Sequence, residues 1–559
     1  MRKTGDGNRR EREETAGGGA RDAVLALDIG TTRTKAAIYH GTLRRGPVRS
    51  VSTRGIDRDG TFDLDAIVGT VLDLLRETVR ETAQAQPDPR YEPIRAIGVT
   101  SFLSHILIDY EGRIVPPGLS WSYRPAPETL ATCRRACAAV RYRPERPVGA
   151  ELLAPRLLDL AGKDAELSRS IARVVSIKDV VREVLAGRYR KDSLDITRLS
   201  TDYSVRDYSF IRDRLDRPIL PVLRLLERAG YRNPSELVPP VYPAHHPVDY
   251  LDPGFAEKLG LPREIPIVMG ATDGTTAMYG AGVLAERRIT LVFGTTDVAM
   301  RAVPASRQDE QEKTDLESAV PGQSRNASPV PGCEVIGGST SASGPAIPWL
   351  QGVLRDTDRW ESIEPGSGGV LVAPGFSGER APWDQPDLRG AIHGLTPDHT
   401  GAHWFRAVLE AQTYRVRWLI ELLMSGEEFD GNKRDTGTEP QFTVLAGGGN
   451  RSPGLDALRA AVLPFPVRWR RDGELSLCGA AIFAFSGTAE TENRDTTLRA
   501  LCRLAAEDTE DAADAERAAN AEHATDAEPV ITSNKKTRRY DELYREWKRW
   551  IHTLYEGDD

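Results

Sequence analysis

The sequence predicts an α/β protein built from two duplicated domains that face one cleft. Three observations predict it. At 559 residues the chain exceeds what a single hydrophobic core organises. Short apolar runs of strand character alternate with stretches of helical periodicity, as in mixed α/β folds. One pattern also recurs: Ala26-Leu-Asp-Ile-Gly-Thr-Thr32 in the first half and Leu291-Val-Phe-Gly-Thr-Thr296 in the second. Each is a strand followed by a Gly-Thr-Thr turn and, at once, a second strand-like run.

The elements follow in order. Val24–Leu27 and Lys35–Tyr39 are the first strand pair, and Ile94–Thr100 and Ile106–Asp109 are further strands. Ile265–Met269 closes the first half. Ile289–Phe293 and Val298–Val303 open the second, with Phe442–Leu445 after them. Helical periodicity covers Trp404–Met424 and Leu455–Val462. At the C-terminus Tyr540, Leu543, Tyr544, Trp547, Trp550, Ile551, Leu554 and Tyr555 recur at helical spacing, an aromatic stripe expected to pack back on the body. Three stretches read as loosely structured: a polar, Gly-rich lead-in over 1–22, a Ser/Gln/Glu/Pro-rich surface insertion over 304–332, and an Ala- and acid-rich linker over 487–534 with a helix near Leu498–Ala506.

Composition narrows the function classes. Hydrophobic residues make up 40% and charged residues 28%, a globular balance. No apolar run approaches the roughly 20 residues of a membrane span. The N-terminus lacks the apolar centre of a signal peptide, so a cytoplasmic protein is expected. Net charge is -8 with the basic residues dispersed, which disfavours nucleic acid as a partner. The five cysteines form no disulfide framework. Cys133 and Cys137 are either a metal or redox pair or, more simply, two reduced helix residues. His245 with His246, and His399 with His403, pose the same choice between metal binding and surface or helix-start positions.

Four motifs carry chemistry. In Asp28-Ile-Gly-Thr-Thr-Arg-Thr-Lys35, Gly30 permits a tight turn and close approach to an anion. Thr31, Thr32 and Thr34 offer hydroxyls, the turn offers backbone N–H groups, and Lys35 offers charge. Asp28 can hold Mg²⁺ directly or through water. A Thr-rich hairpin turn without ligand is the simpler alternative. Gly294-Thr295-Thr296 repeats the pattern, with Asp297 next to it in an undecided role. Ala446-Gly-Gly-Gly-Asn450 lies between a strand and a helix, where Gly447, Gly448 and Asn450 can lie against a nucleotide, unless the segment is a flexible connector. Gly270-Ala-Thr-Asp-Gly-Thr-Thr276 ends a strand. Asp273 there is either a general base taking a hydroxyl proton or the cap of the helix that follows.

These motifs, in this order, resemble the FGGY family of carbohydrate kinases, over about 23–485. Ser104-His105, Lys178-Asp179, Thr201-Asp-Tyr-Ser204, Gly378-Glu-Arg-Ala-Pro382 with Arg389-Gly390, and Gly479-Ala-Ala481 resemble further family elements. The resemblance implies the fold of actin, hexokinase and the sugar kinases, two ribonuclease H-like domains around a cleft. It implies a sugar-binding domain over 23–272, a nucleotide-binding domain over 273–486 and a C-terminal helix over 535–559. It implies ATP and Mg²⁺ as cofactors and a small carbohydrate as substrate, with a homodimer compatible. Asp273 would be the base and Asp28 would help hold the metal. Gly30, Thr31, Thr32, Thr34, Lys35, Gly294, Thr295, Thr296, Gly447, Gly448 and Asn450 would face nucleotide. Ser104, His105, Trp121, Arg124, Asp273 and Gly274 would face sugar.

The chain departs from the family on the sugar side. Trp121-Ser-Tyr-Arg124-Pro stands where Trp-x-Asp-x-Arg is usual, and Ser101–His105 lacks the Gln-Met pair of xylulose kinases. Tyr123 and Arg124 suggest recognition of a carboxylate, as in a sugar acid. Competing readings are a catalytically silent regulator on the same fold and an actin- or chaperone-like ATPase. Intact Asp28 and Asp273 oppose the first, and the sugar-side matches oppose the second.

Overall fold

The computed structural model describes residues 22–556 apart from 86–92, 140–147, 191–192, 214–215, 286–287, 295, 305–322, 329, 342–343, 384, 386, 425–441, 448–451, 471, 508 and 512–533. The expected lead-in therefore lies almost wholly outside the described residues. So does most of the insertion.

In the N-terminal half, β1 (Ala23–Ile29) and β2 (Arg33–His40) form an antiparallel hairpin. β3 (Arg49–Ser52) pairs with β2, and β4 (Ile94–Ser101) runs parallel to β1. β5 (Ser104–Asp109), β6 (Ile114–Ser120) and β7 (Ile171–Val175) form a smaller sheet beside it. α1 (Ile177–Leu185) and α2 (Tyr203–Ser209) follow. β8 (Pro247–Tyr250) and β9 (Pro266–Val268) complete the large sheet, β9 parallel to β4.

α3 (Asp273–Gly280) then leads into the C-terminal half. β10 (Arg288–Phe293) and β11 (Asp297–Pro304) form its hairpin. β12 (Gln323–Ala327) and β13 (Cys333–Ser339) extend it on one side. After α4 (Gly401–Met424), β14 (Phe442–Ala446) and β15 (Val467–Arg470) add parallel strands on the other. The paths β9-β4-β1-β2 and β15-β14-β10-β11 thus repeat one topology, two parallel strands beside an antiparallel hairpin.

Alternate residues of β1 bury on opposite faces. Ala23, Leu25, Leu27 and Ile29 join one core, whereas Val24 and Ala26 join the core shared with α5 (Leu475–Thr488). A strand covered on both faces is apolar almost throughout, and only Asp28 breaks the run. On the α5 side small residues allow close approach. A Cβ on Gly98 would overlap the carbonyl of Ala480, and one on Gly479 would overlap the carbonyl of Thr276 on α3.

The structure corrects some sequence expectations and bears out others. The end of the expected insertion is a strand, β12, bonded along β13. The helix expected near Leu498–Ala506 is present as α6 (Arg494–Glu507), which buries Leu498, Leu501, Cys502, Ala505 and Ala506, and β16 (Thr509–Asp511), not expected within the linker, pairs with β15. The remainder of the linker lies outside the described residues. α7 (Asn534–Glu556) lays Tyr540, Leu543, Tyr544, Trp547 and Ile551 into the core that α4 lines. Leu554 stays exposed.

Candidate active site

Asp273 begins α3. The N-cap is Thr272, in extended conformation, so Asp273 is the first helical residue. Its Oδ1 accepts the N–H of Gly274 at 2.6 Å. The backbone before it is fixed from several directions. Thr100 Oγ1 donates to the carbonyl of Ala271 (2.8 Å) and lies 2.9 Å from Thr276 Oγ1. The N–H of Thr272 donates to Ser204 Oγ at 3.1 Å. Ser204 is held by Asp202, and buried Lys178 pairs with Asp202 (2.8 Å) and Asp179 (2.6 Å). Gly270 has φ +69°, and a Cβ there would overlap the carbonyl of Val99.

Asp28 is the penultimate residue of β1, near enough to Asp273 for its charge to be felt. Its Oδ1 is buried without a hydrogen-bond partner. Burial, and then the charge of Asp273, pushes its pKa up to about 8, opposed by Lys35. Burial raises Asp273 to about 6, opposed by the Gly274 N–H. Burial disfavours the charged form of both carboxyls, and the charge of Asp273 adds to the effect at Asp28, so a cation would relieve the site. The donor set therefore fits Mg²⁺, for which Asp28 could serve as a hard oxygen ligand in contact or through water. Among the described residues there is no group of three or more metal-ligating side chains, and Cys133 and Cys137 are buried and free. His245 sits buried 3.0 Å from Asp495, and His399 and His403 accept backbone N–H groups before α4.

The turn after β1 is closed by the Gly30 N–H donating to the carbonyl of Arg33 (3.1 Å). Thr31 is half-buried and Thr32 exposed. Thr34 is buried, its hydroxyl 2.9 Å from Thr53 Oγ1, so it does not present a donor to the turn as expected. Lys35, opposite Asp28 in register, pairs with Glu474 at 2.7 Å. The second turn closes similarly, Gly294 N–H to the carbonyl of Thr296 at 3.1 Å. Gly447, at φ +103°, abuts it: a Cβ there would overlap the carbonyl of Phe293. Thr295, Gly448 and Asn450 lie outside the described residues. Asp297 is buried, and its backbone pairs with Thr340.

The sugar side differs from expectation. Ser104 Oγ accepts the N–H of Ile177 at 2.9 Å and so caps α1. His105 is fully buried, with Nδ1 3.2 Å from Arg156, and burial holds its pKa well below the usual value. Tyr123 turns inward, donating to Asp159 at 2.5 Å and accepting from Lys163 at 3.0 Å, so it does not offer its hydroxyl to a carboxylate. Arg124 is exposed and folds onto the carbonyls of Trp121 and Ser122. Trp121 stays 37% exposed. Gly274 is exposed beside Asp273.

Arg156 was not singled out from the sequence. Fully buried, it donates to the carbonyls of Ser120 (2.8 Å), Trp121 (2.8 Å) and Tyr123 (3.2 Å), and so shapes the whole loop. A lone Arg inside the apolar stripe of the helix Leu153–Lys163 was the available signal.

The model of the N-terminal domain of FGGY carbohydrate kinases matches residues 23–280, and that of the C-terminal domain matches 289–488. The chain belongs to the FGGY family of carbohydrate kinases. It is 24% identical to L-fuculokinase of Escherichia coli K12 over 485 residues, 84% of this chain and 93% of that one. It is 22% identical to gluconokinase of Bacillus subtilis over 497 residues, 84% and 89% of the two chains. The crystal structure of gluconate kinase from Lactobacillus acidophilus superposes with a TM-score of 0.73 at 18% identity, covering 95% and 98%. This FGGY kinase is accordingly a phosphotransferase acting on a small carbohydrate hydroxyl, and the family uses ATP with Mg²⁺.

Proposed function

We propose that this kinase transfers the γ-phosphoryl group of ATP to a hydroxyl of a gluconate-like sugar acid or a pentulose- or fuculose-like ketose, with Asp273 accepting the proton. The observation that carries the reading is the pairing of Asp273 with Asp28 at the cleft. One carboxyl is raised by burial to about 6 and has no salt-bridge partner among the described residues, and the other has an orphaned buried oxygen. Phosphoryl transfer to an alcohol needs alignment, charge neutralisation and a proton acceptor. Mg²⁺, which Asp28 would hold, would supply the neutralisation. Asp273, anchored by Thr272 and the Lys178–Asp202–Ser204 network, receives the hydroxyl proton on the carboxylate oxygen that faces the acceptor. The Gly30–Thr32 and Gly294–Thr296 turns, with Gly447, hold the nucleotide. Trp121, on a loop fixed by Arg156, supplies an apolar wall for the sugar.

A coupled ADP-release assay across L-fuculose, D-xylulose, D-gluconate and glycerol tests it. At least one ketose or sugar acid should raise ADP release well above the acceptor-free rate. Release that no carbohydrate stimulates would sink the reading.

A further inference from the structure

The Gly378–Pro382 motif has no part in the chemistry above, yet it carries a fully buried ion pair. Glu379 Oε2 pairs with Arg415 on α4, both side chains without solvent contact. Glu379 Oε1 accepts the N–H groups of Ser341 (2.8 Å) and Arg380 (3.1 Å). The N–H of Ala381 donates to the carbonyl of Ser339 at 3.0 Å. The chain on both sides of Thr340 is therefore tied to the motif. Thr340 in turn donates its N–H to the carbonyl of Asp297 (2.9 Å) and accepts the Asp297 N–H on its hydroxyl (3.2 Å). Asp297 follows Thr296 directly and ends the second Gly-Thr-Thr turn. A continuous set of hydrogen bonds thus runs from α4 to that turn.

A buried ion pair adds little stability compared with apolar residues of the same volume. What apolar residues could not do is accept two backbone N–H groups from a loop. Burial pushes the Glu379 carboxyl up and Arg415 opposes that shift, so the two belong together. We infer that Glu379 and Arg415 are positioning residues for nucleotide binding, fixing Ser339–Ser341 and, through Thr340 and Asp297, the Gly294–Thr296 turn. The inference rests on the reading of that turn as nucleotide-binding.

Calorimetric titration of Mg-ADP into the full chain, with hydrogen exchange over the β10–β11 hairpin, tests both separately. In the unaltered protein Mg-ADP should protect the Gly294–Asp297 amides. Binding without that protection would overturn the reading of the turn, and the inference with it. Given protection, Glu379→Gln should weaken Mg-ADP binding about tenfold and speed exchange at Gly294–Asp297, while a single unfolding transition persists. Arg415→Lys, which keeps the charge, should show a smaller loss in the same direction and serves if Glu379→Gln does not fold. Folded variants that bind Mg-ADP within about twofold of the unaltered protein would reduce the pair to a structural contact and overturn the inference.

Discussion

Asp28 and Asp273 lie near enough to interact through their charges, but different surroundings hold them. Asp273 stands at a helix start and titrates near 6, while Asp28 ends a buried strand and is pushed to about 8, partly by Asp273 itself. A base must be ionised, and a carboxyl ionises as pH rises through its pKa. Activity should therefore fall by about tenfold per pH unit on the acid side of about 6. A bound cation near these carboxyls would favour their charged forms, so lowering Mg²⁺ should move that acid limb upward. Asp273→Asn should cut kcat by about a hundredfold or more with little loss of thermal stability, because it removes a desolvated carboxylate. Near-unaltered turnover in Asp273→Asn would remove the base assignment. At this scale the places of Asp28 near a strand end and of Asp273 at a helix start were legible, because both depend on local sequence. It was not for Tyr123, because its partners Asp159 and Lys163 lie on a distant helix. Nor was it for Thr34, whose burial depends on Thr53 of a neighbouring segment.

At the level of elements, β1, β4 and α4 were legible because burial on both strand faces, or along a long helical stripe, leaves uninterrupted apolar patterns. β12 was not. Its sequence, Gln-Ser-Arg-Asn-Ala, carries no apolar alternation, and it is a strand through its backbone bonds to β13. α6 was only partly legible because surrounding acidic residues mask a stripe of Leu498, Leu501, Cys502 and Ala505. The crossing of α3 and α5 is where sequence and packing agree most closely. Gly479 resembles the first residue of the family's late Gly-Ala-Ala helix, and the structure gives a reason for it, contact with the carbonyl of Thr276 one turn from Asp273. Gly479→Val should force the helices apart, costing about 1–3 kcal/mol, and should also lower kcat because α3 carries Asp273. Calorimetric melting and turnover measured together check this. Loss of stability without loss of turnover would show that Asp273 is held by the Thr100 and Ser204 bonds alone.

Across the whole molecule the duplicated topology was visible in two Gly-Thr-Thr turns, but how the halves are joined was not. α5 belongs in sequence to the C-terminal half and packs on β1 and β4 of the N-terminal one. α7 returns from the far end of the chain to close the core around α4. Trp547 is buried there and donates its indole N–H to the carbonyl of Val372 at 2.8 Å, while Arg406 donates to Tyr540 and Arg417 pairs with Asp541, each at 2.6 Å. Trp547→Ala should cost about 3–5 kcal/mol, the range for removing a large buried aromatic. Because α5 couples the halves, that loss should appear as one transition shifted to lower temperature. A split melt, with the C-terminal half unfolding first, would mean that the α5 contact with β1 and β4 is too weak to make the two halves unfold together.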